Sequence, residues 1–220
     1  MPGGAGGFNV IDNIFPLCNM EAKSKTKHLK VDVMEQSNWS QDTYIKALKF
    51  AARAHQGQPL EGARVGTDLP YVVHVCMVAM EVIAAFQEEK GFNEDFAIQV
   101  ALLHDVIEDT KITYRKILDE FGSSVADGVR ALSKKDLTLP KNLKLEDSLH
   151  RIRQQPREVW MVKMADRITN LQTPPWNWNK EKIGQYLEEA IQIHKALAGA
   201  SPYLSARFLK KIEEYKVYKK

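Results

Sequence analysis

Residues 93–110, NEDFAIQVALLHDVIEDT, place four acidic or imidazole side chains at the end of one of the most apolar stretches of the chain. Between positions 96 and 107, apolar residues cover nearly the whole circumference of a helix, which predicts a central helix buried on all sides. Asn93 is a good N-cap, and Glu94 and Asp95 follow in the first turn, where the helix dipole favours acids. We therefore expect the fold to be built around this helix.

Helical patterns continue on both sides of this stretch, separated by breaks that contain glycine and proline. Ser40 and Ser201 are plausible N-caps, Pro70 suits a first helical turn, and Pro156 forbids one continuous helix across 145–172. The predicted helices cover residues 40–55, 70–89, 93–110, 113–121, 124–134, 145–155, 157–172, 180–198 and 201–218. With no convincing alternating strand, the pattern predicts an all-α fold, an orthogonal multi-helix bundle.

The length of 220 residues suits one domain with a tail. Residues 1–36 begin glycine-rich and show no sustained periodicity, so we expect a flexible N-terminal extension followed by one domain at 37–220. Thirty-one basic and 28 acidic side chains leave a formal charge of +3, too small to indicate nucleic-acid binding.

No apolar run approaches the ~20 residues that cross a bilayer, and no signal-peptide pattern begins the chain. We therefore expect a cytoplasmic protein with no membrane partner. Cys18 and Cys76 lie far apart and suggest neither a disulfide framework nor a cysteine metal site. The sequence leaves the oligomeric state open.

The polar groups at the end of the apolar stretch need a partner, because burying an isolated carboxylate costs more than a helix can recover. Helix positions four apart share a face, which places His104 beside Glu108 and Asp105 beside Asp109. A divalent cation would satisfy this polar patch.

Two more polar residues also lie within apolar segments that are predicted to be helices. His74 lies in PYVVHVCMVAMEV, and Asp166 lies in VWMVKMADRITNL. Together with His104 and Asp105 they would offer two imidazole nitrogens and two carboxylate oxygens to one ion. This donor set suits manganese, iron or zinc better than calcium.

These four residues resemble the H…HD…D signature of the HD-domain phosphohydrolases, with His74 first, then the pair His104-Asp105, and finally Asp166. More narrowly, PYVVH, HDVIEDT, FGSSVADGV and VKMADRITNLQT resemble the hydrolase domain of the RelA/SpoT-homologue family, over roughly residues 40–215. Members of that family remove the 3′-pyrophosphate from guanosine tetra- and pentaphosphate, the alarmones of the stringent response. The resemblance implies a stand-alone small alarmone hydrolase of the HD-domain type.

The resemblance also implies roles for individual residues. His74, His104, Asp105 and Asp166 match the metal ligands, usually of Mn²⁺, although another divalent transition metal is possible. Glu108 and Asp109 match the acids that position and deprotonate the attacking water.

The same resemblance makes Asn170 and Thr173 substrate contacts. Their spacing from Asp166, by four and then three residues, predicts that all three share one helix face. The remaining phosphates need cations, for which the candidates are Arg53, Arg64, Lys163 and Arg167.

The chain departs from the family pattern around the nucleotide. Val75 follows His74 where the family has proline, and Gln172 stands where it often has arginine. Between AHQGQ and PYVVH lies the longer segment PLEGARVGTDL, in which Arg64 is displaced. The chemistry is therefore better supported than the substrate.

Two alternatives stay open. The site could act on another phosphorylated nucleotide, such as NADPH or a nucleoside phosphate, or the chain could be a non-catalytic nucleotide-binding regulatory module. The adjacent Glu108 and Asp109 favour an enzyme. Trp176 and Trp178 are more typical of residues that pin a loop than of a nucleotide pocket, and we expect His55 to stabilise its loop or to line the pocket.

Overall fold

The computed structural model describes residues 39–60, 69–133 and 140–219. The predicted extension at 1–36 and the predicted phosphate contact Arg64 lie outside these ranges. The described α-helices are α1 (Gln41–Ala54), α2 (Val72–Glu88), α3 (Glu94–Leu103), α4 (Val106–Asp109), α5 (Tyr114–Phe121), α6 (Ser123–Leu132), α7 (Lys141–Arg153), α8 (Arg157–Asn170), α9 (Lys180–Leu197) and α10 (Pro202–Tyr215). Two short 3-10 helices cover Ala198–Ala200 and Lys216–Lys219. The described ranges contain no strand, only a single bridge between Pro59 and Pro70, so the all-α prediction is confirmed.

Helix α3 lies at the centre of the bundle. Helices α1, α2, α6 and α8 pack against it, and its apolar residues from Phe96 to Leu103 are buried. The prediction of a central helix buried on all sides is therefore confirmed. Burial of this much apolar surface is the main favourable contribution to folding, and it fixes the C-terminal end of α3 in the protein interior.

Side-chain caps begin the helices where the sequence predicted them. The Ser40 hydroxyl accepts the Thr43 amide at 3.4 Å, the Asn93 side chain accepts the Phe96 amide at 3.1 Å, and the Ser201 hydroxyl accepts the Leu204 amide at 3.1 Å. Each bond satisfies an amide that the first turn leaves without an intrahelical partner.

The segment predicted as one helix at 93–110 is two helices, α3 and α4, with a turn at His104 and Asp105. The Asp105 backbone, at φ −100° and ψ −5°, leaves ideal helix geometry. The His104 ring also folds back onto the carbonyl oxygen of Ala101 at 2.8 Å. The break falls at His104 and Asp105, which are two of the candidate metal ligands. Their side chains therefore leave the helix at its end rather than from its middle.

Helix α8 ends at Asn170, earlier than predicted, because Leu171 leaves the helical conformation with φ −80° and ψ 61°. The helical spacing that was expected to reach Thr173 therefore stops at Asn170. Within the described part of the chain, no helix has the length and apolar character needed to cross a membrane.

Candidate metal centre

Three helices deliver buried polar side chains to one point. His74 comes from α2, His104 from the C-terminal end of α3 and Asp166 from α8. One ligand atom of each lies within 4.8 Å of the other two. His74 Nε2 is 3.5 Å and His104 Nε2 is 3.9 Å from Asp166 Oδ1. Since α2, α3 and α8 pack directly on one another, the core itself fixes this geometry.

The His104 ring is oriented for metal binding. Its Nδ1 lies 2.8 Å from the carbonyl oxygen of Ala101, so the neutral ring carries its proton on Nδ1 and leaves the Nε2 lone pair directed into the cluster. Within the described ranges, His104 Nε2 is buried and makes no hydrogen bond of regular geometry, although a carboxylate oxygen of Asp105 lies 2.9 Å from it. A buried nitrogen lone pair of this kind, facing carboxylates, fits a metal ion.

The Asp105 carboxylate adjoins the same two imidazoles. Its Oδ2 lies 2.9 Å from His104 Nε2 and 3.7 Å from His74 Nε2. The Tyr71 hydroxyl donates a hydrogen bond to this oxygen. The structure therefore brings all four predicted ligands together.

The second carboxylate, Asp166, is held on both of its oxygens. Asn170 Nδ2 donates to Oδ1 at 2.6 Å, and Lys163 Nζ donates to Oδ2 at 2.9 Å. Asn170 and Lys163 lie one turn on either side of Asp166 along α8, so the spacing that predicted a shared face for Asp166 and Asn170 is confirmed.

Proton affinities in the cluster follow from its charges. Burial opposes protonation of His104, but Asp105 and then Asp166 outweigh it and raise the pKa of His104 to about 9. Burial likewise opposes ionisation of Asp105, yet His104 lowers the pKa of that carboxyl to about 2. The pKa of Asp166 lies well below its usual value because Lys163 and the two imidazoles overcome its burial. A positive charge between the carboxylates is therefore strongly favoured, and a divalent ion would supply it.

A cavity of about 340 Å³ opens beside the cluster. It is lined by Gln58, Pro59, Leu60, Tyr71, His74, Asp109 and Asn170. Asp109 is exposed at this cavity, whereas Glu108 is half-buried on the same short helix α4. The arrangement gives a small ligand access to one edge of the buried cluster.

A sequence profile described as the HD domain matches residues 47–203. The chain belongs to the HD-domain family. It is 32% identical over 177 residues to the mouse (Mus musculus) guanosine-3′,5′-bis(diphosphate) 3′-pyrophosphohydrolase MESH1, with 77% of this chain and 93% of that protein covered. The human (Homo sapiens) protein of the same name is 33% identical over 167 residues, covering 73% and 87%. A guanosine-3′,5′-bis(diphosphate) 3′-pyrophosphohydrolase of Aquifex aeolicus is 31% identical over 156 residues, but only 20% of that longer protein is covered.

Solved structures share the same fold. One is described as a metazoan ortholog of SpoT that hydrolyses ppGpp; it superposes with a TM-score of 0.68 at 23% identity, covering 81% of this chain and 98% of that one. A protein of Listeria monocytogenes superposes with a TM-score of 0.55 at 23% identity, covering 69% and 97%. The predicted HD-type architecture is thereby confirmed.

The basic residues predicted to contact the substrate of this HD domain have separate surroundings. Lys163 is paired with Asp166, as described above. Arg167 is buried; its guanidinium stacks 4.1 Å from the centre of the Tyr186 ring and lies 3.5 Å from a Glu189 oxygen. Arg53 lines a second cavity, beside Phe50. Neither arginine is among the described residues that line the cavity beside His74.

Thr173 also departs from the expected position. It follows the end of α8, and its hydroxyl lies 3.1 Å from the hydroxyl of Tyr218. The expectation that Thr173 shares a helix face with Asp166 and Asn170 is wrong, because the helix has already ended.

The two tryptophans after α8 differ, because Trp178 packs on the bundle and Trp176 is exposed. Trp178 packs edge-on against Tyr186 at 5.1 Å between ring centroids, and Lys182 lies over its ring. Trp176 is 88% exposed. Trp178 thus pins the loop to α9, which is the role that its neighbouring prolines favoured.

Sequence reasoning did not identify Tyr71 as part of the HD-domain site. The signal was available: Tyr71 precedes His74 by three residues, the spacing that places two side chains on the same face of a helix. Burial and the neighbouring Asp105 raise the pKa of the Tyr71 phenol above its ordinary value, so it remains a hydrogen-bond donor.

Proposed function

We propose that this HD domain is a metal-dependent phosphohydrolase that removes the 3′-pyrophosphate from guanosine tetra- and pentaphosphate. The observation that carries the proposal is the buried group of His74, His104 and Asp166, whose ligand atoms lie within 4.8 Å of one another. The names of the mouse and human relatives support the choice of substrate.

We propose that His74, His104, Asp105 and Asp166 hold the ion, and that the ion is Mn²⁺. Two imidazole nitrogens with carboxylate oxygens suit manganese, iron or zinc, and the resemblance to the RelA/SpoT-homologue family favours manganese among them. When bound, such an ion lowers the pKa of a water molecule toward neutrality and offsets the charge of phosphate oxygens.

Glu108 and Asp109 are proposed to orient the attacking water and to accept its proton. Both belong to α4, the turn that begins directly after Asp105, and Asp109 faces the cavity beside His74. A carboxylate one turn beyond the ligands can reach a water molecule at the ion.

The reaction is a hydrolysis in which the water oxygen forms a bond to the phosphorus attached at O3′. The bond between that phosphorus and O3′ breaks, and a proton is delivered to O3′. The products are a nucleotide with a free 3′-hydroxyl and inorganic pyrophosphate.

Asn170 and Lys163 support the site by fixing the Asp166 carboxylate at 2.6 and 2.9 Å. Their predicted contacts with substrate, and those of Thr173, Arg53, Arg64 and Arg167, remain part of the proposal. A flexible arginine or lysine can rotate toward a phosphate when one is bound.

A second candidate keeps the metal centre and the phosphohydrolase chemistry but changes the nucleotide and the phosphate group that is released. Pro59 and Leu60 line the cavity beside Tyr71, in the segment where the resembling family carries arginine. In that family the segment helps to hold the guanine nucleotide, so its replacement here favours testing NADPH and nucleoside phosphates beside the alarmones.

The test is a turnover assay on chelator-treated full-length protein with and without added Mn²⁺. Guanosine tetraphosphate, NADPH and deoxynucleoside triphosphates are offered separately, and pyrophosphate and orthophosphate are measured. We expect Mn²⁺-dependent pyrophosphate release from guanosine tetraphosphate. Turnover without added metal would contradict the metal centre, and orthophosphate release from another nucleotide would support the second candidate.

Asp105→Ala and Asp127→Ala form a matched pair for this assay. Both aspartates accept a hydrogen bond from a tyrosine hydroxyl, Asp105 from Tyr71 and Asp127 from Tyr114. Only Asp105 adjoins the cluster, so we expect only its variant to abolish turnover.

A further inference from the structure

Tyr71 lies between the two histidines that flank its ring. The ring centroid is 4.6 Å from that of His55 and 5.4 Å from that of His74. The hydroxyl reaches past them to donate a hydrogen bond to Asp105 Oδ2. One side chain therefore contacts a proposed ligand through its hydroxyl and another through its ring.

The loop before α2 holds Tyr71 in this position. Its backbone amide donates to the carbonyl oxygen of Gln58 at 2.9 Å, next to the bridge between Pro59 and Pro70. The ring therefore starts from a fixed backbone point at the N-terminal end of α2.

His55 supports the ring from behind. It is buried with 3% exposure, and its Nδ1 lies 2.7 Å from Gln58 Oε1. The Gln58 residue thus anchors both the imidazole that packs on Tyr71 and the backbone of Tyr71 itself. A ring confined in this way has little rotational freedom, so its hydroxyl is a preorganised donor.

Asp105 needs such a donor. It lies in the break between α3 and α4, where the regular helix no longer fixes its backbone, and its side chain is the most exposed of the four proposed ligands, at 20%. Without an outside contact the carboxylate could rotate away from the imidazoles toward water.

We propose that Tyr71 is a positioning residue for Asp105: its hydroxyl, braced by His55, fixes the carboxylate in the orientation that binds the metal ion. This inference rests on the metal centre of the proposed function, but not on the identity of the nucleotide. Removing a hydrogen-bond partner of a metal ligand typically weakens metal affinity about 10- to 100-fold.

Tyr71→Phe removes the hydroxyl and keeps the ring between the two histidines. Tyr114→Phe is the matched control, because Tyr114 is also half-buried and its hydroxyl donates to the Asp127 carboxylate at 3.0 Å, outside the cluster. Both variants lose one tyrosine-to-aspartate hydrogen bond, so a general effect on stability is common to the two.

The experiment is a calorimetric titration of Mn²⁺ into the chelator-treated full chain and both variants, with thermal unfolding of each in the absence of metal. We expect Tyr71→Phe to weaken Mn²⁺ binding about 10- to 100-fold, while Tyr114→Phe binds Mn²⁺ as tightly as the unchanged protein. Equal affinity for Tyr71→Phe and the unchanged protein would overturn the proposal, as would an equal loss in both variants.

The titration separates this inference from the proposed function. If the unchanged chain binds no Mn²⁺, both are overturned. If it binds Mn²⁺ but releases no pyrophosphate from guanosine tetraphosphate, only the proposed reaction fails, and the two phenylalanine variants still decide the role of Tyr71.

Discussion

Arg207→Ala should destabilise the fold by about 2–4 kcal/mol, because it leaves a buried carboxylate without its partner. Glu81 on α2 is 4% exposed. Its two oxygens accept from Arg207 Nε at 2.7 Å and Arg207 Nη2 at 2.6 Å, in a bidentate pair that joins α2 to α10.

The magnitude follows from the burial of the two partners. Breaking a fully buried ion pair by removing one side costs about 3–5 kcal/mol. The Arg207 side chain is 34% exposed, so water reaches the gap left by its removal and reduces that cost. In a domain of this size a loss of about 1 kcal/mol lowers Tm by roughly 2–4 °C, which makes the expected change easy to measure.

Urea unfolding of the metal-free protein, followed by circular dichroism, measures the change as a shift in midpoint at constant slope. The matched variant is Glu81→Leu combined with Arg207→Leu, which removes both charges. Replacing a whole buried pair with apolar side chains is often close to neutral, so the double variant should be more stable than Arg207→Ala. The reasoning would be refuted if Arg207→Ala were as stable as the unchanged protein, or if the double variant were less stable than Arg207→Ala.

Three further predictions concern the cluster. Asp105→Ala should lose Mn²⁺ and turnover together, as measured by metal analysis and pyrophosphate release on the same sample; a variant that keeps its metal would argue against Asp105 as a ligand. Glu108→Ala should retain the metal and lose about 10²- to 10⁴-fold in rate, the usual contribution of a general base, and loss of the metal in this variant would contradict that role. The cluster should stabilise the metal-free protein most strongly between about pH 4 and 6.5. The raised pKa of His104 gives a stabilising contribution that is full below the ordinary pKa of histidine and is lost as pH rises through about 9. The lowered pKa of Asp105 gives a stabilising contribution that is lost as pH falls toward about 2. Urea midpoints measured across this range, with and without Mn²⁺, check it; a midpoint that rises between pH 7 and 9 without metal would contradict the assignment.

The centre of the fold could be predicted because its signal is local. A continuous apolar run leaves α3 no exposed face, and the side chains of Ser40, Asn93 and Ser201 cap the helices that follow them. The convergence of His74, His104 and Asp166 could be predicted for a related reason: each is a polar residue in an apolar helix, and burial leaves such groups few partners other than one another or an ion.

The details that sequence reasoning missed depend on contacts between distant segments. At the break after α3, the His104 ring contacts the carbonyl oxygen of Ala101. Helical periodicity carries no information on such a side-chain contact. Arg167 is held by Tyr186 on α9, and the proposed role of Tyr71 depends on Asp105 in the turn between α3 and α4. Spacing along one helix predicts which residues share a face but not which neighbour that face meets.

The most direct test of the metal centre is the anomalous scattering of manganese in crystals of the full chain grown with Mn²⁺. We predict one strong peak within coordination distance of His74 Nε2, His104 Nε2 and carboxylate oxygens of Asp105 and Asp166. A crystal grown with Mn²⁺ in which the peak lies elsewhere would contradict the account. So would a crystal with no peak at the cluster, in which the two imidazoles contact only the carboxylates.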